Sequence, residues 1–273
     1  MSSIAPDRKK LSEKEQFEEH LTFLRRISIR YEETLTGDQD SLKRFIFCAT
    51  EKLSKSCATL VRLYPAIYED FDVEFSMGVI LRSLLIDSIL TQYLRYFTLT
   101  LHESGDNLVV IKGQLENESL KLIADGTMSI LEDFLTGGNL PAEEQKRLAH
   151  NIVSKFPGLF ITDIKTGMPK LQDEHRVSIK KMHKKGQHVN QHTKKHVYEL
   201  YAFYSKYDHI SHWTSIVGNI PLDERLRRLH LSILSIIFNF RDLLVLGQWL
   251  QTGSTEAPVL LAELDDNMRK MTS

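Results

Sequence analysis

The chain is poor in the residue that builds extracellular disulfide frameworks. It has only two cysteines in 273 residues, Cys48 and Cys57, and both fall in one predicted helix. Their spacing separates them by about 13 Å along the helix axis and on opposite sides, so they cannot pair with each other. A chain without a disulfide framework is typical of a reducing compartment.

Segments with the composition of a secretion signal or a membrane anchor are also missing. Residues 1–14 are polar and charged and contain no apolar h-region, so we expect no signal peptide there. A membrane span needs roughly 20 largely apolar residues. The two most apolar stretches, residues 79–94 and 229–250, are each interrupted by charged residues, namely Arg82, Asp87, Arg241 and Asp242. We therefore expect a cytoplasmic protein with no membrane partner.

Proline and glycine are few, with 7 and 13 in the whole chain, and they separate segments of helical periodicity. The periodic segments predict helices over residues 12–35, 41–64, 74–102, 118–135, 141–157, 191–213, 222–250 and 258–270. Two short β-branched segments, residues 108–111 and 159–164, are candidates for strand pieces or buried loops. Residues 165–186 have the mixed pattern of loop and helix.

This pattern predicts an all-α protein, a multi-helix bundle of about eight helices in a single domain of residues 1–273. Within that domain, residues 1–40 would hold an N-terminal helix and residues 251–273 a C-terminal helix. Residues 41–250 would form the core of the bundle, with a basic excursion over residues 165–196.

Two of the predicted helices are apolar around most of their circumference, which is typical of helices surrounded by other helices. One narrow polar stripe runs along residues 222–250, formed by Arg228, Ser232, Ser235, Asn239 and Asp242. His230 and Arg241 lie within the apolar arc of the same helix, and a buried Arg or His needs a partner. Arg82 lies on the apolar arc of the other helix, so it is either an internal ion-pair anchor or a residue that faces a cleft.

The helix over residues 191–213 combines aromatic and polar side chains. Its polar face holds Ser205, Asp208 and His212, and Ser205 lies one helical turn before His209. Ser, Asp and His together suggest a hydrolase triad, but a serine in the middle of a helix lacks the strained nucleophile turn and the oxyanion hole. We expect instead that these polar side chains cross-link a core.

A basic, histidine-rich segment is the strongest local asymmetry in a chain of net charge −1. Residues 176–198 contain no acid and seven basic residues, which are Arg176, Lys180, Lys181, Lys184, Lys185, Lys194 and Lys195. Such a surface would contact the phosphates of RNA or DNA. Tyr198, Tyr201 and Tyr204 follow directly and would stack on bases if exposed. The alternative is a solvated face with no partner.

Metal binding is a rival interpretation of the same segment. His188, His192 and His196 recur at every fourth residue, a spacing that places neighbouring pairs at ligand distance on one helix face. However, no carboxylate lies between Glu174 and Glu199, and the neighbouring lysines repel a cation. We therefore expect no metal site and no cofactor.

A longer pattern resembles a known group of proteins. Arg82 on its helix, followed far downstream by Tyr201-x-x-x-Ser205-x-Tyr207-x-His209, resembles an uncharacterised family of bacterial helical proteins that looks related to the HEPN superfamily. Members of that superfamily are helical bundles, and many are ribonucleases of toxin–antitoxin and phage-defence systems. Their active motif is Arg, four to six residues, then His, contributed by both subunits of a dimer. Three pairs here have that spacing: Arg225 with His230, Arg95 with His102, and Arg176 with His183.

The resemblance implies a HEPN-like protein that engages nucleic acid, as a defence- or stress-associated ribonuclease and as a homodimer. In cleavage, a His would act as the base on the ribose 2′-OH, and an Arg would stabilise charge on the phosphate. The candidate catalytic residues are Arg82, Ser205, His209, His212, Arg225 and His230. Two alternatives stay open: a non-enzymatic module that binds another protein, and a metal-dependent hydrolase. The sequence does not decide whether the protein is an enzyme.

Overall fold

The structure, a computed structural model, describes residues 13–35, 41–68, 71–136, 141–165, 169–172, 175–176, 178–187, 191–206, 219–249 and 256–272. Over these residues it is an all-α bundle, as predicted. Its helices are α1 Glu13–Thr34, α2 Ser41–Leu63, α3 Phe71–Glu103, α4 Leu108–Thr136, α5 Ala142–Lys155, α6 Ile179–Gly186, α7 Gln191–Tyr204, α8 Leu222–Trp249 and α9 Glu256–Thr272. A 3₁₀ turn, Tyr64–Tyr68, follows α2, and the strands β1 Phe160–Thr162 and β2 Pro169–Leu171 form a small antiparallel hairpin.

The start of α4 differs from the sequence-based expectation. Residues 108–111 were predicted as a strand piece or a buried loop, but they form the first turn of α4. The physical reason is a cap at Asn107, whose side-chain oxygen accepts hydrogen bonds from the backbone N–H groups of Val109 and Val110, each at 3.1 Å. A capping side chain thus outweighs the β-branched composition of the turn. The second predicted strand segment does contain β1.

Helix α3 runs through the centre of the bundle and packs against α2, α4, α6, α7 and α8. Leu81, Leu85 and Ile89 recur every four residues along it and are fully buried. That spacing puts all three side chains on one face of the helix. Because α6 is among its neighbours, the predicted basic excursion includes a helix that is part of the bundle.

Polar contacts between α3 and α8 form what we call the α3–α8 seam, which is made of three pairs: Glu74 with Arg225, Gln92 with Asn239, and Arg95 with Asp242. The residue numbers rise together in the three pairs, so the two helices run in the same direction. Two residues of the polar stripe predicted on α8, Asn239 and Asp242, belong to this seam, and Ser232 and Ser235 of the same stripe are also buried.

The C-terminal helix α9 is fixed from outside by ion pairs. Arg26 and Arg30 of α1 both bind Glu263, and Arg30 also binds Glu256. Arg241 of α8, whose position in an apolar arc predicted a partner, donates from Nε to Asp265 at 2.7 Å. These pairs lie near the surface, where an ion pair contributes about 0–1 kcal/mol, so they set the position of α9 more than they stabilise it.

Among the described helices, α8 alone meets the length and hydropathy criteria of a membrane span, over Leu222–Gln248 with a mean hydropathy of 1.7. Of its most apolar window, 67% is buried inside the bundle. The buried core helix of a soluble protein has the same character, so this finding is weak evidence for a membrane span.

Replacing Arg95 by Met tests the seam. The change leaves the Asp242 carboxylate, whose side chain is 6% exposed, without its cation. We expect the free energy of unfolding, measured in urea, to fall by about 3 kcal/mol. The double variant Arg95→Met with Asp242→Leu should recover most of the loss, since no charge is then left buried. A double variant as unstable as the single one would contradict a seam held by this pair.

Candidate nucleic-acid interface

Helix α6 carries most of the basic segment, and its sequence explains why it forms and which way it faces. Ser178 caps its start by accepting a hydrogen bond from the backbone N–H of Lys181 at 3.3 Å. At 100° per residue, the four lysines of α6 cover an arc of about 140°. The opposite arc holds Met182, His183 and Gly186, all three buried.

The buried side of α6 fits closely against α3. A Cβ added at Gly186 would lie 3.2 Å from the Cβ of Gln92, which is tighter than ordinary packing, so a larger residue would push the two helices apart. The imidazole of His183 stacks on the ring of Tyr198 with centroids 4.8 Å apart, and its Nε2 lies 2.7 Å from Nε2 of Gln187. These contacts fix α6 on the bundle through α3 and α7.

The outward side of α6 forms what we call the lysine face: Lys180, Lys181, Lys184 and Lys185, all four exposed. Within the part of the chain that the structure describes, none of these ammonium groups forms an ion pair. Lys185 lies over the ring of Tyr93, with Nζ 5.6 Å from the ring centre. The lysine face is therefore a concentrated, solvent-accessible positive surface.

The other predicted nucleic-acid contacts are only partly described. Arg176 is exposed just before α6. Lys194 and Lys195 lie near the start of α7, but their side chains fall outside the described residues.

Of the three tyrosines expected to stack on bases if exposed, Tyr204 is buried, and Tyr198 and Tyr201 are half-buried. Tyr204 is 1% exposed, and its hydroxyl lies 3.4 Å from Oγ of Ser232, so it cannot meet a base. Tyr198 stacks on His183, and Tyr201 lies 6.0 Å below the guanidinium of Arg82. The most exposed groups of this surface are therefore the lysine ammonium groups rather than these rings.

Arg225 and His230, one of the three pairs with HEPN-like spacing, do not converge. Five residues of helix turn them about 140° apart. Arg225 reaches α3, where it forms a 2.5 Å ion pair with the buried Glu74. His230 faces α1 and stacks on Phe17, with ring centroids 5.0 Å apart. Glu74 could not be predicted as the partner of Arg225, because the two residues lie 151 positions apart in the chain.

Of the remaining candidate catalytic residues, the structure describes Arg82 and Ser205. Arg82 is half-buried at the contact between α3 and α7, where it meets Tyr201, another residue of the HEPN-like pattern. Ser205 lies one turn beyond Tyr201, and its hydroxyl donates to the carbonyl of Ala202 at 2.8 Å. His209 and His212 lie outside the described residues, so the geometry covers only the first part of the pattern.

The structure describes only part of the segment in which a metal site was considered. Among the described residues, no group of three or more His, Cys, Asp or Glu is arranged to hold a metal ion. His188 and the side chain of His192 lie outside that set, and His196 is exposed with Nδ1 3.4 Å from Glu199.

Comparison of this chain with protein-family models, with curated proteins and with solved structures found no match in any of the three. The resemblance to the HEPN superfamily therefore stays a prediction from Arg82, Tyr201, Ser205 and His209, and the function rests on the site itself.

His20 of α1 interacts with His230 of α8, and this leads to a prediction about how the stability depends on pH. Burial first, and the neighbouring His230 second, lower the pKa of His20 below its ordinary value of 6.5, and Glu19 opposes them. The unfolded chain therefore takes up a proton at His20 at a higher pH than the folded chain does. The stability that this residue contributes is complete above pH 6.5 and is lost as the pH falls through the folded-state pKa.

We expect the free energy of unfolding to decrease on acidification from about pH 7.5 to about pH 5.5 by less in His20→Gln than in the unchanged protein. Urea unfolding at the two pH values measures this difference. His150→Gln is the matched control, because His150 is exposed on α5. Equal decreases in the His20 variant and the unchanged protein would show that His20 plays no part.

Proposed function

We propose that the protein binds nucleic acid through the lysine face. The observation that carries this proposal is the pairing of four exposed lysines on one side of α6 with a close contact to α3 on the other. Lysines that neutralise phosphates release the counterions condensed on nucleic acid, and this release drives binding. Because α6 is already fixed on the bundle, little further ordering of its backbone opposes the gain.

An anionic lipid surface is the other common partner of a lysine-rich helix. Helices that lie on membranes insert an exposed apolar face below the headgroups. On α6 that face is formed by Met182, His183 and Gly186, which are buried in the protein. The available chemistry is therefore charge without insertion, which favours a polymer of phosphates over a bilayer.

The salt dependence of binding tests the proposal. If all four lysines contact phosphates, the logarithm of the binding constant for duplex DNA should fall against the logarithm of salt concentration with a slope of about −3.6. Replacing Lys180, Lys181, Lys184 and Lys185 by Gln should remove most of the binding and flatten the slope. Fluorescence anisotropy with a labelled duplex, between 50 and 200 mM salt, measures both.

The matched control removes the same number of lysine charges from other surfaces of the protein. Lys55, Lys146, Lys155 and Lys270 are exposed lysines on α2, α5 and α9. Replacing these four by Gln changes the net charge equally but leaves the lysine face intact, so binding should persist. Vesicles of anionic lipid serve as a second probe. Equal binding by the lysine-face variant and the control variant, or lysine-dependent binding to vesicles alone, would refute a nucleic-acid function of this surface.

The HEPN resemblance adds cleavage of RNA to this proposal, with His209 as the base. The Arg82–Tyr201 contact supports it, since it joins two residues of the pattern across α3 and α7. If His209 is the base, His209→Ala should abolish RNA cleavage and leave the melting temperature nearly unchanged. If it is structural, the same change should lower stability by about 1–3 kcal/mol. His150→Ala on α5 is the control for both the cleavage assay and the melt.

A second candidate function is a non-enzymatic interaction module. The ion pair between Arg225 and Glu74 favours it, because it gives a structural role to the arginine of one HEPN-like pair. The absence of both RNA cleavage and lysine-dependent nucleic-acid binding by the unchanged protein would favour this candidate, a module that binds another protein, over the ribonuclease.

A further inference from the structure

The lysine face has a geometry that bears on which form of nucleic acid it fits. Lys180 and Lys184 form one row along α6, and Lys181 and Lys185 form a second row. Within each row the Cα atoms are about 6 Å apart along the axis, and the rows are about 100° apart around it. The lysine face is thus a ridge with charge on both flanks, since the opposite side of the helix is buried against α3.

A ridge with two charged flanks is a poor surface for a single strand. Proteins that bind single strands combine a positively charged groove with aromatic side chains on which successive bases stack. Here the lysines lie on a convex surface. Of the neighbouring rings, Tyr204 is buried, and Tyr198 and Tyr201 are half-buried with one face against His183 or Arg82, so these rings do not form an open stacking platform.

A duplex offers the complementary shape, because two lines of phosphates border each of its grooves. An α-helix with its side chains is about 10–12 Å across, and the major groove of B-form DNA is about 12 Å wide. The wide, shallow minor groove of A-form RNA is likewise bordered by two phosphate lines. A ridge can enter such a groove with one lysine row directed at each line.

The depth of entry is limited by the way α6 is held. The close approach of Gly186 to Gln92 keeps α6 against α3, so only its outer arc projects. That arc carries four lysines, which reach phosphates at the rim of a groove before base edges at its floor. Contacts to phosphates position a protein but carry no sequence information directly.

We infer that the lysine face binds double-stranded nucleic acid in preference to single strands and without sequence preference, with one lysine row on each of the two phosphate lines that border a groove. This inference rests on the proposed function, because it specifies the ligand of the same surface.

Anisotropy measurements on the full chain test it with four probes: a duplex DNA, its separated strand, a second duplex DNA of unrelated sequence, and a duplex RNA. We expect the duplex DNA to bind about tenfold or more tighter than its strand, and the two DNA sequences to bind equally. The duplex RNA distinguishes the two grooves, because its affinity relative to DNA reports whether A-form or B-form geometry is preferred.

Two variants separate a two-line contact from a one-line contact. Lys180→Gln with Lys184→Gln removes one row, and Lys181→Gln with Lys185→Gln removes the other. On a duplex, each should reduce the salt slope by about half, from about 3.6 to about 1.8. All four lysines are exposed, so both variants should keep the melting temperature of the unchanged protein.

The possible failures are distinguishable. A single strand that binds as tightly as the duplex, or one row that carries the whole slope, would overturn the inference while the proposed function stands. If none of the four probes shows lysine-dependent binding, the proposed function is overturned as well.

Discussion

Gln92 makes two contacts that set the positions of neighbouring helices: a hydrogen bond to Asn239 of α8 and the packing contact with Gly186 of α6. The amide of Gln92 donates to Asn239 at 2.6 Å in the centre of the α3–α8 seam, while its Cβ forms the surface on which Gly186 rests. A shift of α8 relative to α3 would break the hydrogen bond, and a shift of Gln92 would move the surface of α3 against which α6 packs. The position of the lysine face thus depends on a buried polar contact, since Gln92 is 1% and Asn239 3% exposed.

Buried polar pairs of this kind contribute more to alignment than to net stability. Removing Arg95 and Asp242 from water costs several kcal/mol per ion, and their mutual attraction offsets this cost only when the geometry is good. An apolar surface alone would let α3 and α8 slide past each other, because hydrophobic contact is non-directional. The three seam pairs, from Glu74 to Asp242, penalise such sliding at several points along the helices, which is how two long apolar helices acquire a single register.

Periodicity in the sequence was enough to predict the all-α class, most helices and the central position of α3 and α8. The polar stripe from Ser232 to Asp242 was also visible in the sequence. The helices that it contacts were not, because a stripe that faces solvent and a stripe that faces a buried partner have the same spacing. The charge of the lysine face was predictable from the sequence, but the way in which α6 packs on the bundle was not. Lys180 to Lys185 stand out in composition, whereas the docking of α6 depends on Gly186 meeting Gln92, which are 94 positions apart. The start of α4 was missed because capping by Asn107 outweighs β-branched propensity.

The nearly neutral charge of the chain is compatible with nucleic-acid binding, because its charge is unevenly distributed. The lysine face lies on α6, which packs against α3, while α1 packs against α2, α8 and α9. Helix α1 carries Glu15, Glu18 and Glu19 along an open surface groove, and Arg26, which also lines that groove, is paired with Glu263. If the protein binds nucleic acid as proposed, a phosphate polymer would be attracted to the first surface and repelled by the second, so the protein's field would select an orientation before contact. If the lysine face binds as proposed, attraction from that surface alone limits the number of phosphates neutralised, which limits both the affinity and the steepness of its salt dependence.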